Sequence, residues 1–230
     1  MTTRPLALVT GASRGVGAAT ARALSHTHDV LLGGRDGPAL QHLATELPGA
    51  RPWPVEITDD DALAHATAEI ERLDVLVHSA GVGRIATVQA STAALWRHTL
   101  DVNVVAVAEL TRLLLPALRA ARGHVVLINS GSGLRANPGW GAYAASKFAL
   151  RALADSLRAE EQPHGVRVTS VHPGRIATDM QRQVRADEGG DYQPQEYLSA
   201  ETVAGAVLTV LQTPADAHLT ELVLRPARSG

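Results

Sequence analysis

Short apolar runs alternate with helical patterns along almost the whole chain, and this alternation restricts the fold more than any single motif does. Because parallel strands are joined only by crossover connections, the alternation predicts an α/β fold: a doubly wound parallel sheet (a Rossmann fold) with helices on both faces. We expect residues 1–230 to form one domain. The predicted strands cover residues 6–9, 29–34, 51–57, 74–77, 123–128, 165–171 and 220–224, and the predicted helices cover residues 18–24, 39–47, 62–73, 92–121, 143–161 and 200–211.

Prolines and polar stretches mark three places within this pattern. Pro52 and Pro54 lie in the third strand and cannot donate to a ladder, so this strand is expected at an edge of the sheet. Pro116 is expected to interrupt the long helix over residues 92–121. Residues 175–200 are polar and lack helical periodicity, which is typical of a mobile lid.

Composition limits the classes of function. A formal net charge of -2 gives no broad attraction to nucleic acid or to anionic membranes, so a small-molecule partner is predicted. The chain has no cysteine, which excludes disulfides and thiolate metal sites and is compatible with a reducing cytosol. We predict no metal site. Neither a signal peptide nor an apolar run of membrane-spanning length is present, so a soluble, cytoplasmic protein is expected.

The first strand ends in a glycine-rich turn, Thr10-Gly-Ala-Ser-Arg-Gly-Val-Gly17, directly before a predicted helix. Glycines allow a pyrophosphate to approach the backbone, and a helix N-terminus offers free N–H groups and the positive end of its dipole. The spacing is GxxxGxG and differs from the common GxGxxG pattern. A plain tight connection would also use glycines, but the turn favours a dinucleotide.

The end of the second strand bears on which dinucleotide binds. An acidic side chain there accepts hydrogen bonds from the adenosine ribose of NAD, whereas arginine pairs with the 2′-phosphate of NADP. Arg35 follows the strand, and Arg14 in the glycine turn is expected to reach the same phosphate. Asp36 is the competing signal and keeps NAD open. NADP is favoured, because glycine occupies the strand terminus itself.

Tyr143 and Lys147 are four residues apart in a predicted helix, so they share one face. A phenol has a pKa of about 10, and a nearby cation would lower it toward the range where the group exchanges protons at neutral pH. Ser130, upstream of this pair, follows the fifth strand. Tyrosine and lysine at this spacing also occur in many ordinary helices, so the pair gains its meaning from the other motifs.

Taken together, these motifs resemble the short-chain dehydrogenase/reductase family in its compact single-domain form. The matching features are the TGASRGVG turn, His78-Ser-Ala-Gly81 after the fourth strand, Asn103, Ser130, the YxxxK pair, and Pro173-Gly174 followed by Ile176 and Thr178. The resemblance implies cofactor contacts from Thr10, Gly11, Ser13, Arg14, Gly15, Val16, Gly17, Arg35, Glu56, Ile57, Ser79, Ala80, Gly81, Asn103, Tyr143, Lys147, Pro173, Gly174, Ile176 and Thr178.

The resemblance also implies the chemical roles. Tyr143 would protonate a carbonyl oxygen, or act as the base in reverse, while Lys147 would lower its pKa and hold the nicotinamide ribose. Ser130 would donate to the substrate oxygen, and Asn103 would hold a water in a relay behind Lys147. Thr178 and Ile176 would touch the nicotinamide carboxamide, and Pro173 and Gly174 would shape the wall near the ring.

Two residues depart from the family's usual pattern, and three others lie where they could contact a ligand. Ser79 and Glu56 replace the family's usual asparagine and aspartate, which leaves the proton-transfer group intact. His78 and His172 are expected to be structural, and Trp140 to line the substrate pocket or pack its loop.

The predicted function is an NADP(H)-dependent oxidoreductase that interconverts a carbonyl compound and an alcohol. An NAD-linked alcohol dehydrogenase and a non-catalytic nucleotide sensor are the alternatives. By resemblance alone, a homodimer or homotetramer is expected.

Overall fold

A seven-stranded parallel sheet with helices on both faces forms the protein, which confirms the predicted fold class. The computed structural model describes residues 4–227. The strand order is β3-β2-β1-β4-β5-β6-β7. The strands are β1 (Leu6–Val9), β2 (Asp29–Gly34), β3 (Ala50–Pro54), β4 (Val75–His78), β5 (His124–Ile128), β6 (Arg167–Pro173) and β7 (Glu221–Leu224). The helices are α1 (Gly15–Leu24), α2 (Gly37–Glu46), α3 (Asp60–Thr67), α4 (Ala93–Leu100), α5 (Ala106–Ala121), α6 (Gly141–Glu161), α7 (Asp179–Asp187) and α8 (Ala200–Leu211).

The strand order reverses beside β1, which pairs with β2 on one side and with β4 on the other. The connections from β1 and β4 therefore leave the sheet in opposite directions, and a crevice opens at their carboxyl ends. The glycine turn and the loop after β4 meet at this crevice.

Alternating side chains of each strand fill two separate cores. Leu8 of β1 faces one core, which contains Leu110 and Leu114 of α5 and Leu150 of α6. Ala7 and Val9 face the other core, which α1, α2 and α8 cover. This alternation follows from the two-residue period of a strand, and burial on both faces explains why the strands read as continuous apolar runs.

Several boundaries differ from the sequence-based expectation. β3 is at the sheet edge as its prolines predicted, but it ends at Pro54, so Glu56 and Ile57 lie in the following loop. α3 ends at Thr67 instead of continuing to residue 73. The Thr67 hydroxyl donates to the Leu63 carbonyl at 2.8 Å within the last turn of the helix.

The long helix predicted over residues 92–121 is broken, but not at its proline. A π-helical segment, Asp101–Val105, separates α4 from α5, and Pro116 lies inside an uninterrupted α5. Proline removes one N–H donor, and burial of Leu114 and Ala117 beside it holds the helix in place. The segment predicted as an irregular lid contains helix α7, which Thr178 caps through its hydroxyl.

Candidate active site

The glycine turn between β1 and α1 is built for close backbone approach. Gly11 and Gly15 have φ angles of +67° and +57°, which other residues rarely adopt. A Cβ atom on Gly11 would lie 2.9 Å from the Ala80 backbone, and one on Gly17 would overlap the Gly11 carbonyl oxygen. Arg14, the residue before α1, makes no side-chain capping bond, so the first N–H groups of α1 face the crevice without a side-chain partner.

A cavity of about 580 Å³ runs from this turn to Tyr143. Sixteen of the predicted cofactor residues line it: Gly11, Ser13, Arg14, Gly15, Val16, Gly17, Arg35, Glu56, Ile57, Ser79, Ala80, Gly81, Tyr143, Lys147, Ile176 and Thr178. The sequence thus identified most of one continuous wall. Lining residues that it did not single out include Val82, Gly83, Leu95, His98, Met180 and Gln183.

Thr10 and Asn103 are buried behind the cavity wall instead of lining it. The Thr10 hydroxyl accepts hydrogen bonds from the N–H groups of Ser79 and Ala80, each at 3.1 Å. Asn103 exchanges two hydrogen bonds with Val82, at 2.9 and 2.8 Å. Both predicted cofactor residues therefore hold the loop after β4 in place, and the predicted water relay at Asn103 stays a prediction.

Pro173 and Gly174 were predicted to shape the wall near the nicotinamide, but they do not line the cavity. They pack against β7: Pro173 pairs with Leu224, and the Gly174 N–H donates to the Leu224 carbonyl at 2.8 Å. Both residues therefore lie where β6 pairs with β7, and their expected place near the nicotinamide stays a prediction. Ile176 and Thr178, further along the chain, return to the cavity.

One end of the cavity carries two exposed arginines. The Arg35 guanidinium is 3.4 Å from the Glu56 carboxylate, and that of Arg14 is 3.8 Å from Asp179. Asp36, the competing acidic signal, accepts a hydrogen bond from the Ala39 N–H at 3.0 Å and caps α2. Its carboxylate is therefore engaged outside the cavity, while both cations border it.

Tyr143 and Lys147 lie on the same face of α6, as their spacing predicted. The Lys147 ammonium is 5.8 Å from the centroid of the Tyr143 ring and donates to the Ile128 carbonyl at 3.0 Å. Gly83 lets the chain pass close to the phenol, since a Cβ there would lie 3.0 Å from the Tyr143 ring. Backbone from β5 and from the loop after β4 thus encloses the pair.

Burial dominates the protonation of both groups. It raises the pKa of the Tyr143 hydroxyl, and the Ser130 hydroxyl beside it acts in the opposite direction. Burial also lowers the pKa of Lys147 to about 8. Burial outweighs the lowering that was expected from Lys147, so the net shift of the Tyr143 pKa is upward. Tyr143 therefore holds its proton at neutral pH.

A model of the family described as "short chain dehydrogenase" matches residues 5–189. The chain belongs to this family. It is 30% identical to human dehydrogenase/reductase SDR family member 11 over 243 residues, which covers 96% of this chain and 94% of that protein. Family membership confirms the resemblance and supports an oxidoreductase that acts on CH–OH or C=O groups.

Two further comparisons place this short-chain dehydrogenase among its relatives. It is 34% identical over 235 residues to glycine betaine reductase ATRR of Emericella nidulans, but it spans only 18% of that protein's length. An alcohol dehydrogenase from Thermococcus sibiricus, solved in complex with 5-hydroxy-NADP, superposes with a TM-score of 0.89 at 26% identity. That alignment covers 98% of each chain.

Two polar residues that the sequence left unassigned contact the predicted catalytic residues of this short-chain dehydrogenase. Asn129 accepts from the Ser130 N–H at 2.8 Å and donates to the Lys147 carbonyl at 3.2 Å, so it joins the end of β5 to α6. Ser146 receives a hydrogen bond from Asn103 at 3.0 Å and donates to the Tyr143 carbonyl at 2.7 Å. A polar residue in an otherwise apolar, buried stretch was the available signal for both.

His78 and Trp140 each pack against a named neighbour. His78 is buried and hydrogen-bonded to Thr111 at 2.9 Å, and burial lowers its pKa to about 3, so it is a neutral core residue. Trp140 packs against Tyr143 with ring centroids 5.6 Å apart. Within residues 4–227, no helix is both long enough and apolar enough to cross a membrane.

Proposed function

We propose that this protein is an NADP(H)-dependent oxidoreductase that interconverts a small carbonyl compound and the corresponding alcohol, with Tyr143 as the general acid and base. The observation that carries the proposal is a protonated tyrosine beside Ser130 and Lys147, at one end of a cavity whose other end is a glycine turn with uncapped N–H groups. Acid–base chemistry and dinucleotide binding thus meet in one crevice.

The residues present fit a dinucleotide. The backbone of the turn and the start of α1 would hold the pyrophosphate, because the first N–H groups of α1 have no side-chain cap. Lys147 would hold the nicotinamide ribose, and Thr178 would contact the carboxamide. A Cβ on Gly15 would lie 3.4 Å from the Thr178 side chain, so the first part of the lid borders the turn.

Arg35 and Arg14 support NADP over NAD. Both guanidinium groups border the cavity and are about three-quarters exposed, so they remain available to a phosphate. Asp36, which would favour the ribose of NAD, instead caps α2. The NADP analogue bound by the Thermococcus sibiricus relative agrees with this preference.

The chain's own groups account for the proton transfer. When bound, NADPH supplies the hydride that reaches the carbonyl carbon. The Tyr143 hydroxyl gives its proton to the carbonyl oxygen, so the C=O bond becomes CH–OH and a phenolate is left. Ser130 donates a hydrogen bond to the oxygen as negative charge develops. Lys147, charged below a pH of about 8, stabilises the phenolate electrostatically.

The lid and the assembly belong to the same proposal. Residues 175–200, with α7, would close over the substrate, since Thr178, Met180 and Gln183 line the cavity. Val105 and Phe148 are 54% and 42% exposed, which supports the expected homodimer or homotetramer. Light scattering on the purified protein tests the assembly. A cytoplasmic location remains our expectation from the sequence.

Replacing Tyr143 with Phe tests the function. The change removes only the hydroxyl, so turnover of a panel of ketones and aldehydes, followed by NADPH absorbance, should fall by about 10²–10⁴-fold. NADPH binding, measured by fluorescence, should stay near normal. Tyr192→Phe in the lid is the matched control, and its turnover should equal that of the wild type. Turnover retained by the Tyr143 variant would refute the mechanism. A wild-type protein that binds NADPH but reduces no compound would favour the nucleotide sensor.

A further inference from the structure

A fully buried histidine contacts the backbone of Ser130. His172 lies near the end of β6, and its Nδ1 atom is 3.1 Å from the Ser130 carbonyl oxygen. A carbonyl oxygen only accepts hydrogen bonds, so Nδ1 carries the proton and donates it. This contact joins β6 to the residue that borders the Tyr143 hydroxyl.

The other side of the imidazole faces an ion pair. The Nε2 atom has no hydrogen-bond partner among residues 4–227 and is 3.7 Å from a carboxylate oxygen of Glu221 on β7. Arg151 donates to the same carboxylate at 2.8 Å. Arg151 is on α6, two turns after Tyr143, so the contacts run from the catalytic helix through β7 and β6 to Ser130.

The charges around His172 oppose one another. Burial is the largest influence and lowers its pKa. The Ser130 carbonyl and Glu221 raise the pKa, while Arg151 and Arg225 lower it. Arg225, which follows β7, also donates to the His172 carbonyl at 3.1 Å. The imidazole is thus neutral at physiological pH, in the tautomer that donates from Nδ1.

Ser130 depends on such support because its own bonds leave the hydroxyl proton free. Its N–H donates to the Asn129 side chain at 2.8 Å, and its hydroxyl oxygen accepts from the Ser132 N–H at 3.1 Å. The hydroxyl proton is then available to an acceptor beside the Tyr143 hydroxyl. The direction of this donor depends on the Ser130 backbone, and the His172 contact holds the carbonyl side of that residue.

We propose that His172 is a positioning residue for the reaction: it fixes the Ser130 backbone so that the Ser130 hydroxyl meets the Tyr143 hydroxyl and the substrate oxygen. Glu221, which Arg151 pairs with, lies 3.7 Å from Nε2 on the other side of the imidazole. This inference rests on the proposed oxidoreductase function, because it assigns His172 a role through Ser130. His172 itself touches neither substrate nor cofactor.

The test is a double-mutant cycle with a rescue variant. His172→Leu removes the donor, whereas His172→Asn keeps an N–H group near the position of Nδ1. We expect His172→Leu to lower kcat about 10- to 100-fold, as a misplaced catalytic group does, with little change in KM for NADPH. His172→Asn should recover most of this loss. In a Ser130→Ala background, His172→Leu should add less than about threefold.

His124→Leu is the control for a purely structural effect. His124 is also buried and hydrogen-bonded, to Thr169 at 2.8 Å, but it is at the opposite end of β5. Its variant should lose stability while keeping kcat. The pH–rate profile of alcohol oxidation is a second readout, because its rise with pH reports the loss of the Tyr143 proton. His172→Leu should move it to higher pH, because the Ser130 hydroxyl lowers the pKa of Tyr143.

Several results would overturn the inference. One is a kcat for His172→Leu within about threefold of the wild type. Another is an equal loss with and without the Ser130 hydroxyl, which would indicate general destabilisation. The imidazole tautomer, read from ¹H–¹⁵N correlation spectra of the whole protein, needs no turnover. A proton on Nε2 would refute the proposed contact between His172 and the Ser130 carbonyl, whether or not the protein is active. An inactive wild type would refute the proposed function but not this contact.

Discussion

Replacing Arg35 with Ala should weaken NADPH binding and leave NADH binding nearly unchanged. A hydrogen bond to a charged group contributes about 1.5–3 kcal/mol. The Arg35 side chain is 73% exposed, and solvent and salt therefore reduce this contribution to about 1–2 kcal/mol. The ion pair between Arg35 and Glu56, at 3.4 Å, is exposed, so breaking it to bind the phosphate costs little free energy. The expected loss in NADPH affinity is about 5- to 30-fold.

Titration calorimetry with NADPH and NADH at two salt concentrations measures this effect directly. The variant should show a weaker salt dependence for NADPH than the wild type, since one screened contact is gone. Arg51→Ala, an exposed arginine on β3 outside the cavity, should behave as the wild type. If Arg35→Ala lowered the affinities for both nucleotides equally, or changed neither, the assignment of the 2′-phosphate to Arg35 would be wrong.

Four further predictions concern the pH dependence of the reaction, the support of the site and the glycine turn. Reduction should be steady below a pH of about 8 and fall above it as Lys147 loses its charge, and Lys147→Met should lose that step in a pH–rate profile. Oxidation needs Tyr143 without its proton, and burial raises that pKa, so oxidation should rise through the alkaline range. Thr10→Val leaves two N–H donors of the loop after β4 without an acceptor. The Thr10→Val substitution should lower the free energy of unfolding by about 1–3 kcal/mol, which calorimetry would record as a fall of roughly 2–10 °C in Tm. Gly17→Ala should abolish most NADPH fluorescence enhancement, because its Cβ would overlap the Gly11 carbonyl oxygen.

The architecture was predictable because the five inner strands are buried on both faces and each connection carries its own local signals. β2 and α8 occur at the predicted bounds. One predicted boundary was wrong at the end of α3, which stops at Thr67 instead of residue 73. The sequence also predicted one continuous helix where the structure changes helix type, at the π-helical segment that carries Asn103. Helical periodicity does not distinguish a π segment from the α-helices on either side.

The site contains residues that belong to short sequence motifs and residues whose contacts are far away along the chain. About half of the residues that line the cavity belong to short motifs, and those motifs identified them. The residues behind the wall contact partners far along the chain: Thr10 binds a loop 69 residues later, and His172 binds a carbonyl 42 residues earlier. No local pattern encodes such contacts. Because these buried groups set the positions of Ser130 and of the loop after β4, substitutions there should change kcat more than cofactor affinity. Substitutions at Arg14 and Arg35 should do the reverse.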